Sequence, residues 1–76
     1  MRIDVKLYGD LKKYAPGHRN QFSLSLDPET TFGCVFRLLY IPIGDQVSLI
    51  NGRRSDPDAI LTDGDTLVFM PQIPGG

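Results

Sequence analysis

Few residues in this sequence of 76 have side chains or ends that could do chemistry, and they do not cluster. The sequence closes on Gly75-Gly76. Glycine lacks a Cβ, so a Gly-Gly end enters a slot too narrow for any side chain. Read as a free end, it presents the Gly76 carboxylate on an unhindered thread that another enzyme could grip and activate. The single cysteine, Cys34, and the single histidine, His18, cannot supply a zinc-ligand set between them. Asp63 and Asp65 flank Gly64, and paired carboxylates sometimes share acid–base work. At a tight turn, however, aspartate stabilises the backbone through its own side-chain hydrogen bonds, so a structural role is expected. Cys34 falls beside a helical core face and is expected to be a buried or half-buried packing thiol. His18 reads as a solvated loop residue. Arg53-Arg54 reads as a solvated hairpin end or as a contact for an acidic partner. Neither phosphate-binding glycine signature is present. By elimination the reactive group is the Gly76 carboxylate, and the chain reads as a substrate carried between enzymes, not as an enzyme.

That carboxylate has to be held out by the elements before it. Leu61-Thr62-Asp63-Gly64-Asp65 predicts a tight turn, and Thr66 to Met70 an apolar closing strand. Alternation places Leu67 and Phe69 inward and Val68 and Met70 outward, as an exposed apolar docking patch that Ile73 continues. Pro71 removes a donor and ends the strand, and Pro71-Gln72-Ile73-Pro74 predicts a stiff extended arm. The boundaries are therefore a folded domain over 1–70 and a flexible tail over 71–76. Within the domain, Arg2 to Tyr8 and Gln21 to Leu26 alternate with period two and predict a hairpin, with a helical turn over Gly9 to Pro16 and a loop from Pro16 to Asn20 between them. Phe32, Val35, Phe36 and Leu39 share one helical face, with Thr31 as N-cap and Pro42 enforcing the end; Gly33 weakens the helix. Gln46 to Ile50 predicts a third strand closed by the Asn51-Gly52 turn. Arg53 to Asp58 reads as polar surface loop and Ala59-Ile60-Leu61 as a short bridge. The order β-β-α-β-(short β)-β is that of an α+β, ubiquitin-like β-grasp: a mixed sheet of four to five strands, one main helix on one face, and first and last strands parallel at the centre.

Composition narrows the classes further. A hydrophobic fraction of 41% fits one small folded domain. Net charge is −1, without a basic patch, which argues against nucleic-acid binding. The apolar runs are too short for a membrane span. Met1-Arg2 leads directly into an alternating strand, so no signal peptide is expected, and a lone cysteine fits a reducing cytoplasm.

Several motifs together resemble the MoaD/ThiS sulfur carriers, with the MoaD branch favoured. They are Val5-Lys6-Leu7-Tyr8 followed by Leu11-Lys12, Thr31-Phe32-Gly33, Asn51-Gly52-Arg53, Leu61-Thr62-Asp63-Gly64-Asp65, Pro71 and Gly75-Gly76. The resemblance implies that an E1-like adenylating enzyme uses ATP and Mg to activate the terminal carboxylate. Sulfur from a donor such as a desulfurase then displaces AMP and leaves a thiocarboxylate. A synthase subunit accepts that sulfur, for molybdopterin in the MoaD branch and for the thiamin thiazole in the ThiS branch. Gly76 would bear the sulfur, Gly75 would give clearance, and Pro71 to Pro74 would form the insertion arm; the chain itself would bind no cofactor. Gln72 stands where a second proline is frequent, and Pro74 directly precedes the diglycine. Two other readings predict different chemistry: a ubiquitin-like modifier joined through Gly76 to lysine, and a β-grasp interaction module without terminal chemistry.

Overall fold

The computed structural model describes residues 1–41 and 46–71. Apolar–polar alternation builds β1 (Arg2–Leu7), which buries Ile3, Val5 and Leu7 completely and leaves Asp4 and Lys6 half-buried on the other face. Two 3-10 turns, Gly9–Tyr14 and Pro16–His18, lead into β2 (Gln21–Ser25), so the expected loop after Pro16 is partly helical. β2 pairs antiparallel with β1, placing Val5 opposite Phe22 and Ile3 opposite Leu24.

The helix α1 (Phe32–Leu38) starts where the sequence predicts, with the Thr31 hydroxyl accepting the Cys34 N–H at 3.4 Å. Phe32, Val35, Phe36 and Leu39 are all buried. Phe36 and Phe69 meet edge to face with centroids 5.1 Å apart, and Phe32 and Phe36 at 5.2 Å, which locks the helix to the closing strand. Pro42 lies outside the described residues, but the helix has already stopped before it. Tyr40 takes a left-handed φ of 58°, the Ile41 N–H returns to the Phe36 carbonyl at 2.9 Å, and the Tyr40 N–H to the Arg37 carbonyl at 3.2 Å. That pattern is a Schellman cap, and Ile41 is buried beneath it. Gly33 also has a reason to be in the helix. A Cβ there would sit 3.2 Å from Pro57 Cβ and from the Pro57 carbonyl oxygen, which accepts the Gly33 N–H at 2.8 Å.

β3 (Val47–Ile50) turns at Asn51-Gly52, whose φ values of 52° and 83° are those of a type I′ hairpin. The strand that follows is β4 (Arg53–Arg54), so the basic pair is not loop as expected. The short bridge expected at Ala59-Ile60-Leu61 is present, confined to one residue. Ile60 makes only an isolated bridge to Thr31, and the Leu61 N–H bonds the Thr30 carbonyl at 2.9 Å. This segment pins the start of α1 and does not extend the sheet. β5 (Thr66–Met70) pairs parallel with β1 and antiparallel with β3, giving a mixed five-stranded sheet in the order β2-β1-β5-β3-β4 with α1 on one face. No helix among the described residues is long and apolar enough to cross a membrane.

Candidate functional site

The strand that leads to Pro71, β5, is launched by a turn built around Asp65. Asp65 is the one buried charged side chain among the described residues, and its carboxylate is saturated. Oδ2 accepts the Thr62 N–H at 2.8 Å; Oδ1 accepts the Thr62 hydroxyl at 3.0 Å and the Asn51 side-chain amide at 2.8 Å. Burial pushes this carboxyl up, but the Thr62 N–H, the Asn51 amide and the Thr62 hydroxyl together hold it below the usual carboxylate range. Asn51 completes the clasp, since its Oδ1 accepts the Thr66 N–H at 2.9 Å. Asp63 Oδ1 accepts the Arg2 N–H at 2.7 Å, tying the turn to the first strand. Both aspartates are thus committed to structure, and the Asp63/Asp65 pair is no acid–base couple.

Along β5, Leu67 and Phe69 are fully buried against the helix. Val68 and Met70 lie on the opposite face, and both are half-buried where full exposure was expected. Their neighbours explain this. In register, Val68 lies between Lys6 of β1 and Leu49 of β3, and Met70 lies beside Val47. Leu49 in turn pairs with Arg54 of β4. Paired residues share a face, so Val47, Leu49, Val68 and Met70 form one apolar strip flanked by Lys6 and Arg54. Val47, Leu49, Lys6 and Arg54 are members that sequence reasoning did not assemble. The outward parity of β3 was the available signal, but only the pairing register brings these residues together.

Pro71, directly after β5, is closely approached by the turn that follows β1. Gly9 has φ 60°, and a Cβ on it would lie 2.9 Å from Pro71 Cγ, closer than real Cβ contacts come. The Tyr8 N–H donates to the Phe69 carbonyl at 3.0 Å, so the turn after β1 is bonded to the end of β5 where Pro71 begins. Pro71 is exposed. Gln72, Ile73, Pro74, Gly75 and Gly76 lie outside the described residues.

Two solitary residues are placed clearly. His18 is exposed with φ 58°. Cys34 is exposed, contrary to the expected packing role, because the second residue after the helix start points away from the Phe32–Phe36 face. The Thr31 hydroxyl donates to its sulfur at 3.3 Å. That bond first, then the Thr31 backbone contact, draws the thiol below its ordinary value against the opposing effect of desolvation, with the Arg37 charge adding least.

No protein-family model matches the sequence, and no curated protein matches it. Solved structures do. SAMP1 of Haloferax volcanii, a small archaeal modifier protein, superposes with a TM-score of 0.83 at 20% identity, covering 100% of both chains. A putative molybdopterin converting factor subunit 1 of Pyrococcus furiosus gives 0.80 at 16% identity, over 95% of this chain and 98% of that one. Subunits 1 and 2 of the molybdopterin-converting factor of Helicobacter pylori are solved as a complex, and the matched chain gives 0.67 at 20% identity with 100% of both chains covered. At these identities the likeness establishes the fold. With its helix on one face of a mixed sheet and its first and last strands paired in parallel, this chain is a ubiquitin-like β-grasp domain.

Proposed function

We propose that this protein is a cytoplasmic sulfur carrier whose reactive group is the C-terminal carboxylate of Gly76. The observation that carries the reading is the coincidence of two features. The fold is shared with SAMP1 and with the molybdopterin converting factor subunit, and the sequence after the closing strand of that fold ends in Gly75-Gly76. A carboxylate is a poor electrophile because oxide would have to leave. An E1-like partner with Mg-ATP attaches AMP to Gly76 and releases pyrophosphate. Hydrosulfide then attacks the carbonyl carbon, the C–O bond to AMP breaks, and Gly76 keeps a thiocarboxylate. Where a desulfurase persulfide delivers the sulfur, a second thiol must release the acyl disulfide. The thiocarboxylate then passes its sulfur to an acceptor in a synthase subunit. By analogy with the factor that pairs subunits 1 and 2, a pterin cofactor precursor is the favoured acceptor. The chain binds no cofactor of its own; ATP and Mg belong to the activating enzyme.

Residue roles follow the geometry where it is described. The strip of Val68 and Met70, with Val47 and Leu49, supplies apolar area for the partner, and Lys6 and Arg54 supply charge at its rim. Pro71, Ile73 and Pro74 form the arm, and Gly75 gives clearance. Incubated with its activating enzyme, Mg-ATP and sulfide, the protein should gain the mass difference between sulfur and oxygen. Fragmentation must place the gain on Gly76, since methionine oxidation adds nearly the same mass. Deleting Gly76 or adding one residue after it should abolish the gain, because the carbonyl moves by about 3.5 Å in an extended chain. An intact chain left unmodified beside a genuine carrier that is loaded would end this reading. A second reading is favoured by the modifier named among the structural matches. Under it, lysine-linked conjugates would survive a reducing denaturing gel.

A further inference from the structure

The Asn51-Gly52 turn holds a reactivity separate from that of Gly76. An asparagine followed by glycine can cyclise, because the next main-chain nitrogen reaches the side-chain carbonyl carbon and glycine puts no Cβ in the way. Both residues are exposed, and a Cβ added to Gly52 would meet nothing within 4 Å, so this nitrogen is unhindered and water has access. The folded protein holds the reaction back through the Asn51 side chain. Its amide nitrogen donates to Asp65 Oδ1 at 2.8 Å, and its carbonyl oxygen accepts the Thr66 N–H at 2.9 Å. Both ends of the amide are thus pinned where β5 begins. The Asn51 N–H donates to the Thr66 carbonyl at 2.8 Å and fixes the main chain at the same point. Attack on Asn51 Cγ by the Gly52 nitrogen requires the side chain to swing away from β5, which breaks both amide bonds.

We propose that Asn51 is a deamidation site gated by this clasp, so that an opening of the turn is converted into a permanent change in the chain. In the opened turn the Gly52 nitrogen bonds to Asn51 Cγ, the Cγ–Nδ2 bond breaks, and ammonia leaves with the proton that the Gly52 nitrogen gives up. The cyclic imide takes up water at either of its carbonyls and opens to aspartate or to isoaspartate. Neither product restores the clasp. Aspartate still accepts the Thr66 N–H, but its second oxygen faces Asp65 Oδ1 where an amide N–H had bridged a gap of 2.8 Å, and two carboxylates repel there. Isoaspartate adds a methylene to the main chain of a two-residue I′ turn, which moves the connection between β3 and β4 out of register. With the ammonia gone, the turn cannot return. The altered chain loses its hold on Thr66, the first residue of the strand that leads into Pro71.

The test follows deamidation of the intact protein during incubation at neutral pH and constant temperature. Digestion with pepsin in acid, where cyclisation is suppressed, and fragmentation of the peptides place the mass difference between amide and acid on a residue. The urea-unfolded chain should react at Asn51 roughly tenfold faster or more than the folded one, because two hydrogen bonds, one of them to a carboxylate, hold the amide. Asp65→Asn weakens the clasp directly. It should react faster at Asn51 than wild-type protein brought to the same stability with urea. Asn51→Asp carries the first product and should lower the urea midpoint by about 1 M at neutral pH with an unchanged slope. Equal rates at Asn51 in folded and unfolded chains would overturn the proposal, as would reaction confined to another amide. Equal rates for Asp65→Asn and stability-matched wild type would show that global unfolding, not the clasp, is the gate. An unchanged midpoint in Asn51→Asp would show that the product closes the turn as well as asparagine does.

Discussion

Asp65 ties two turns of this fold together. It is buried, and three hydrogen bonds join it to Thr62 and Asn51, which sit in two different turns. Hydrogen bonds to a charged group are worth about 1.5–3 kcal/mol each, and a neutral amide keeps only part of this arrangement. Asp65→Asn should therefore lower unfolding free energy by about 2 kcal/mol at neutral pH. Because the folded-state pKa is depressed, the stabilisation is fully present above the unfolded value near 3.9 and is lost as pH falls through the lower folded value. Denaturant melts of wild type and variant should thus converge in strong acid. If the gap between them stays constant down to that range, the carboxylate charge is not what the turn uses. Asp63 and Asp65 also show what was readable at this scale. The Asp-Gly-Asp spelling announced a turn, but Asn51 as its partner, fourteen residues away, was not readable from either segment.

At the scale of elements, β5 leads into Pro71, and Gly9 lies against that proline. A side chain at Gly9 meets Pro71 Cγ, and it also has to accept φ 60°. These two costs separate by substitution. Alanine pays both, whereas asparagine tolerates left-handed backbone and meets only the proline. Gly9→Ala should lose about 1 kcal/mol more stability than Gly9→Asn. Both should slow activation at Gly76 to a similar degree by redirecting the arm. Adding Pro71→Ala to Gly9→Asn, which removes the ring carbon in the way, should restore the rate. Unchanged activation in both single variants would show that the contact does not steer the tail. Element positions were largely legible, because period-two and period-3.6 patterns are local. What was not legible shares a cause. Ala59-Ile60-Leu61 reads as a bridge, and it is one, but its bonds to Thr30 and Phe32, which hold the helix, are not local. Arg53-Arg54 looked like loop, yet the I′ turn before it commits two residues to the ladder whatever their polarity. Cys34 adjoins the buried face in sequence and reads as a buried or half-buried thiol, but one residue of helical rotation turns its side chain to solvent.

For the whole molecule, the sheet has two unlike faces. One is sealed by α1 around Phe32, Phe36 and Phe69. The other carries the half-buried strip over β3 and β5 with a cation on each flank. Met70→Glu should cost only about 1 kcal/mol in stability, because its side chain is outside the helix-side core. It should nevertheless weaken binding of the activating enzyme at least tenfold, measured by titration of the two purified proteins. Normal binding by a folded Met70→Glu protein would remove the strip from the partner interface.

The position of β5 within the sheet bears on how the protein is made. The last strand in chain order lies between the first and the third, so neither β1 nor β3 has its central neighbour until Thr66 to Met70 has been synthesised. The pairing of β1 with β5 joins residues 62 apart, which delays closure of the sheet until nearly the whole sequence is available. A prematurely ended chain is left with two unpaired strand edges and an uncovered Phe32–Phe36 surface, the features that mark a nascent chain for aggregation or degradation. A ribosome that stops before Thr66 thus yields no folded domain, and partners meet the domain only on chains that have been read through β5.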